Sequence, residues 1–115
     1  MKSSEYLDEV RRTVSPGTQD LLHSAMGCAT EAGELLDQLK KKMFYHKQLD
    51  EHHLIEEFGD ILWYVVMGLD AVDSTIEEAM EANIRKLRQR YPEKWTQEDA
   101  LTRDLDAERI ALERG

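Results

Sequence analysis

The apolar residues of this chain recur at intervals of three and four, Gly and Pro are scarce, and β-branched residues never cluster. That is the period of a helix with one buried face, and no segment alternates with the period of two that a half-buried strand requires. The chain is therefore expected to be all-α. Its 115 residues leave room for one compact domain. Residues 1–115 are read as that domain, with a motif-bearing core over about 20–95 and a helical tail over 97–115. A chain this short buries a modest fraction of its surface, and long helices in it tend to complete their core on another copy. The expected fold is a helical bundle built on an antiparallel helix hairpin and completed by oligomerisation.

Local signals place the elements. A first short helix is expected over about Ser4–Thr13. Ser15-Pro16 reads as an N-cap and a first-turn proline opening a long second helix, with the stripe Leu22, Ala25, Met26, Ala29, Ala32, Leu36, Leu39, Met43. Tyr45-His46-Lys47-Gln48 reads as a loop. A third helix starts near Asp50 and carries Leu54, Phe58, Ile61, Leu62, Val65, Val66 and Leu69, a face wide enough to make it the most buried element. Ser74-Thr75-Ile76-Glu77 has capping-box spacing and opens a fourth helix, which stops at Tyr91 because Pro92 disfavours helix before it. From about Glu98 a charged stretch with Leu101, Leu105 and Leu112 reads as a further helix docking on the bundle or on a partner subunit.

The informative feature is a pair of matched segments, Glu31-Ala32-Gly33-Glu34 and Glu57-Phe58-Gly59-Asp60. Each sets two carboxylates at i and i+3, on one helix face about one turn apart. Like charges so placed repel unless solvent or a cation compensates them. The short loop makes the two helices an antiparallel hairpin, and at ~1.5 Å rise per residue the pairs lie roughly 17 Å before and 12 Å after it, level within about one turn. Four carboxylates facing each other form a hard oxygen site, which suits Mg²⁺ or Mn²⁺ rather than zinc. Such an ion bridges carboxylates to phosphate oxygens, so the site points to phosphate chemistry. Gly33 and Gly59 each cost a helix about 1 kcal/mol relative to Ala, which implies close helix approach or a ligand against the backbone.

Each feature has a plainer reading. Acidic pairs at this spacing are common on solvated faces. A ferritin-like di-iron site would need Glu-x-x-His on two helices, and neither pair has it. Asn83, Lys86 and Arg90 form a polar stripe at i, i+3, i+7 that is either a solvated face or a set of phosphate contacts. Lys41 lies on nearly the same face as Glu34, yet Lys40-Lys41-Lys42 could equally be solvated charges at a helix C-terminus. Trp63, Tyr64 and Trp95 are given no role.

Composition removes other classes. With 24 acidic against 15 basic residues, a formal −9, the chain has no basic stripe to follow a phosphate backbone, so nucleic acid is not an expected partner. A lone Cys28 builds neither a disulfide framework nor a thiolate site and favours a reducing compartment. No signal-peptide core opens the chain and no apolar run approaches the roughly 18 residues of a membrane span, so a cytoplasmic protein is expected.

Taken together, Glu31-Ala32-Gly33-Glu34-Leu35, Glu56-Glu57-Phe58-Gly59-Asp60-Ile61-Leu62-Trp63-Tyr64 and Asn83-Ile84-Arg85-Lys86-Leu87-Arg88-Gln89-Arg90-Tyr91-Pro92 resemble the MazG-type nucleotide pyrophosphohydrolases of the all-α NTP pyrophosphatase group. Twenty-two residues separate Glu34 from Glu57, within that family's variable spacing between Glu-x-x-Glu and Glu-x-x-Asp. The resemblance implies that Glu31, Glu34, Glu57 and Asp60 hold Mg²⁺ (with Mn²⁺ as substitute) and that one glutamate activates the attacking water. It implies that Asn83, Lys86, Arg90 and Tyr91 belong to the nucleotide-binding region, beside Lys41, and that the protein is a homodimer or homotetramer. The expected activity is hydrolysis of a nucleoside or deoxynucleoside triphosphate to the monophosphate and pyrophosphate, for clearing or adjusting a nucleotide pool. Two alternatives stand beside it: a regulatory or scaffold bundle without turnover, and a hydrolase of another phosphorylated small molecule.

Overall fold

The structure, a computed structural model, describes residues 1–17 and 21–114. Among these residues it is all helix and turn, with no strand: α1 (Ser3–Thr13), α2 (Leu21–Tyr45), α3 (Glu51–Ala71), α4 (Ile76–Arg90), α5 (Gln97–Leu101) and α6 (Leu105–Glu113). The chain forms two compact units, Met1–Asp73 and Ser74–Gly115.

In the first unit α2 packs along α3, and α1 packs on α3. The helix expected to open at Ser15-Pro16 does not. Ser15–Gly17 are non-helical, and Gly17 sits at φ +82°, a left-handed conformation that turns the chain. Pro16 therefore belongs to a turn, and the helix that follows is described from Leu21; its expected first residues 18–20 lie outside the described set. At its other end α2 runs through Tyr45, one residue into the expected loop. His46 takes a left-handed φ of 55° and the N–H of Lys47 returns to the Lys41 carbonyl at 3.3 Å, so the chain turns back over the helix C-terminus. Asp50 then caps α3, accepting from the N–H groups of His52 and His53.

The α2–α3 contact is built from small residues. Ser24 Oγ donates to the Tyr64 carbonyl at 2.7 Å, a methyl on Gly27 would run into the Tyr64 ring, and one on Gly68 would meet Ser24 Oγ. At about 100° per residue, Ser24, Gly27 and Glu31 share one side of α2, and the stripe Leu22, Met26, Leu36, Met43 lies on the opposite side. That apolar stripe is not buried against α3 and is more than half exposed at all four of those residues. The apolar core among the described residues is Val10, Val66 and Met67. Two of these are on α3, which is the most buried helix, as its wide apolar face predicts.

In the second unit, Thr75 caps α4 by accepting from the Glu78 N–H, while Ser74 Oγ donates to the Glu78 carboxylate at 2.8 Å. The N-cap is thus Thr75, one residue later than Ser74, because Thr75-Ile76-Glu77-Glu78 offers the same spacing. α4 ends at Arg90, with Tyr91 as its C-cap ahead of Pro92. The charged tail is two short helices rather than one. Thr96 caps α5 and Asp104 caps α6. α6 packs on α4, where Arg85 Nε donates to the Ala111 carbonyl at 3.0 Å, satisfying an orphan carbonyl at the end of α6.

Candidate active site

The side of α2 that meets α3 carries Glu31, and α3 presents Glu57 and Asp60 one turn apart. One carboxylate oxygen from each of the three lies within 4.8 Å of the others, so the pairs are level, as the distances along the hairpin require. Glu34 is exposed, outside that tight group, though its carboxylate acts on both Glu31 and Glu57.

Glu57 is buried and Glu31 partly so, and one oxygen of each, Oε2, is sealed from solvent without a hydrogen-bond donor among the described residues. Two carboxylates cannot donate to one another unless one carries a proton. Burial first, then Glu34, Glu57 and Asp60, push the Glu31 carboxyl up to about 7. Glu57 is raised too, chiefly by burial, with the charges of Glu34 and Asp60 adding to it and a hydrogen bond shared with Glu31 opposing. The cluster lacks a positive partner among the ion pairs formed by described residues. Hard oxygen donors with orphaned buried lone pairs fit a divalent cation of the Mg²⁺ or Mn²⁺ kind.

The glycines inside the motifs have open space where a side chain would be, at both Gly33 and Gly59. Close helix approach, one of the two reasons expected for them, is supplied instead by Gly27 and Gly68. Gly27 and Gly68 carry the same mid-helix cost relative to Ala, and that cost is the signal in the sequence that marks them.

The expected cations are placed differently. Lys41 pairs with Asp37 on its own helix at 2.9 Å, both largely exposed. Asn83, Lys86, Arg90 and Tyr91 belong to the second unit, with Asn83 exposed and the other three partly buried. Arg90 is committed to the tail: its Nε and Nη2 donate to Glu108 Oε1 at 3.1 and 2.6 Å, and its guanidinium lies 5.7 Å from the Tyr91 ring centre. Arg103 completes the arrangement, donating from Nε to Glu108 Oε2 and from Nη2 to Oε1, both at 3.0 Å. Glu108 is 3% exposed, and these arginines hold its carboxyl down at about 2. Nothing in the sequence pattern marks that carboxylate, because its partners are 18 and 5 residues away.

No helix among the described residues is long and apolar enough to cross a membrane. Gene 37 protein of Mycobacterium phage L5 is 30% identical over 87 residues, covering 67% of this chain and 76% of the phage protein. No solved structure gives a significant match. The model of the MazG nucleotide pyrophosphohydrolase domain matches residues 19–95, a span holding both acidic motifs and the α4 stripe. With two thirds of its length inside that match and an acidic hairpin at its centre, the chain belongs to the MazG nucleotide pyrophosphohydrolase family.

Proposed function

We propose that the chain hydrolyses a nucleoside or deoxynucleoside triphosphate to the monophosphate and pyrophosphate, removing or adjusting nucleotides in the cytoplasm. The observation that carries this reading is the pair of buried oxygens on Glu31 and Glu57 that the protein leaves without a donor, beside Asp60. An anion cluster maintained at the cost of desolvation has a use when a cation completes it.

Glu31, Glu34, Glu57 and Asp60 are the proposed holders of Mg²⁺, with Mn²⁺ as a substitute. When bound, the ion supplies charge neutralisation for the phosphates and a place for the attacking water. One of the glutamates takes the proton of that water as it attacks the α-phosphorus. The bond from the α-phosphorus to its bridging oxygen breaks, and pyrophosphate leaves. Lys41, Asn83, Lys86, Arg90 and Tyr91 are the proposed nucleotide contacts. The exposed stripe on α2 supports assembly as a homodimer or homotetramer, since so few apolar side chains are buried within one chain.

The test is pyrophosphate release from a panel of standard, deoxy and damaged triphosphates with Mg²⁺, comparing wild type with Glu57→Gln. Turnover of at least one nucleotide, with the monophosphate as coproduct and a loss of at least about a hundredfold in the variant, is the expected result. No release from any triphosphate would sink the reading.

A further inference from the structure

Toward its loop, the hairpin of α2 and α3 repeats the register of the acids with other side chains. Gln38 and Lys41 stand seven residues after Glu31 and Glu34, and Asp50 and His53 stand seven residues before Glu57 and Asp60. Seven residues are close to two turns, so each of these four lies on nearly the same side as its acid and about 10 Å nearer the loop. The loop folds over them, the Lys47 N–H returning to the Lys41 carbonyl at 3.3 Å. These four side chains and the loop residues Lys47, Gln48 and Leu49 line one cleft of about 280 Å³. That is the small end of the range for ligand clefts.

The cleft is a poor home for phosphate. Of its two lysines, Lys41 is paired with Asp37 at 2.9 Å, and the cleft also holds the Asp50 carboxylate that caps α3. It offers instead two uncharged amides, Gln38 and Gln48, the apolar side chain of Leu49, and the imidazole of His53. That ring is flanked by carboxylates, with Nδ1 3.4 Å from Glu56 and Nε2 3.8 Å from Asp50. Side-chain amides read the hydrogen-bonding edge of a base, and rings and apolar side chains cover its faces. Reach agrees with chemistry. In a nucleoside triphosphate about six bonds of roughly 1.5 Å link the α-phosphorus to the base, against about four to the γ-phosphorus. With the α-phosphate at the acids, the base is the part that extends two turns away.

We infer that this cleft reads the nucleobase, with Gln38 and Gln48 as specificity-determining residues for its hydrogen-bonding edge and with His53 and Leu49 against its faces. The inference rests on the triphosphate activity proposed above. The base is chosen at the loop end of the hairpin, and the α-phosphate lies along the same side at Glu31, Glu57 and Asp60.

The experiment measures kcat/KM for pyrophosphate release with Mg²⁺ from triphosphates that differ only in the base, for the wild-type chain and for Gln38→Leu/Gln48→Leu. Leucine keeps much of each side chain's bulk and removes its donor and acceptor. The expected result is a wild type that prefers one base and a variant whose preference over the next-best base falls roughly tenfold, at an unchanged melting temperature. Gln48 is exposed in the loop, so Gln48→Leu alone carries the same test if the double variant melts early. A preference unchanged in the variants overturns the inference and leaves the activity standing. Equal loss for every base also overturns it, because the amides then act on the phosphates or on the fold, and so does a wild type that turns over all bases alike. A wild type that releases pyrophosphate from none of them removes the activity and the base pocket together.

Discussion

Two places in this molecule bury carboxylates, and they treat them in opposite ways. In the second unit Glu108 is enclosed by Arg90 and Arg103, which donate four hydrogen bonds to it and hold its carboxyl at about 2. In the first unit Glu31 and Glu57 are pressed against Asp60 with no ion-pair partner among the described residues, and the Glu31 carboxyl rises to about 7. The physical problem is the same, an anion taken out of water. The chain solves it internally in one place and leaves it open in the other. A carboxylate that is fully paired is part of the framework; one that is left protonatable is available to something that arrives.

The contrast can be broken in several ways. The steepest loss of stability is expected from Glu108→Ala, which strands two arginines between α4 and α6. It should lower the melting temperature of the second unit by more than about 5 °C, read from Trp95 emission in a Trp63→Phe background. Glu57→Gln should leave that melting point unchanged.

Mg²⁺ at a hundredfold excess over its Kd should stabilise the wild type by ~2.7 kcal/mol, and this gain should vanish in Glu57→Gln. Differential scanning calorimetry with and without chelator measures both. A gain that survives the substitution would place the ion elsewhere.

Acid should act on the two places with opposite sign. In the metal-free chain, Glu31 and Glu57 bind protons more tightly folded than unfolded. Their contribution is full below the ordinary value of 4.5 and is lost as pH rises, for Glu31 through about 7. Glu108 binds its proton less tightly folded, so its contribution is full above 4.5 and is lost as pH falls toward 2. Melts followed through Trp63 should thus improve from pH 7.5 to 5, and those followed through Trp95 should worsen from pH 4.5 to 2.5. With Mg²⁺ present the first trend should reverse, because the ion binds the deprotonated carboxylates.

The smallest effects concern the glycines. Gly33→Ala and Gly59→Ala enter open space, so each should stabilise the free chain by up to about 1 kcal/mol through helix propensity. Gly27→Ala gains the same propensity but must displace the Tyr64 ring, for a net loss of about 1 kcal/mol. Urea titrations resolve these shifts. If Gly33→Ala or Gly59→Ala instead lowers turnover while raising stability, the space serves the nucleotide.

What could be seen in the sequence was what depends on neighbours in the chain. The boundaries at Asp50, Thr75 and Pro92 rest on capping and on proline sterics, and they stand within a residue or so. The gathering of Glu31, Glu57 and Asp60 followed from two spacings and one short loop. Pro16 misled because the proline of a first helical turn and the proline of a Pro-Gly turn look alike until Gly17 adopts its left-handed φ. The α2 stripe misled for another reason: periodicity tells which side of a helix is apolar, and here the partner α3 meets the other side, through Ser24 and Gly27. Glu108 acts across the fold, at a separation of 18 residues, where no local pattern reaches.

The family match stops at residue 95, but the fold of the second unit does not. Arg90, inside the match, is neutralised by a carboxylate 13 residues beyond it, and Arg85 closes the end of the same outlying helix. What is shared with relatives and what must fold together are therefore different lengths of chain. A fragment trimmed to the recognisable part would keep the arginine and lose its counter-ion, so the tail is a condition for the family segment's own electrostatic balance.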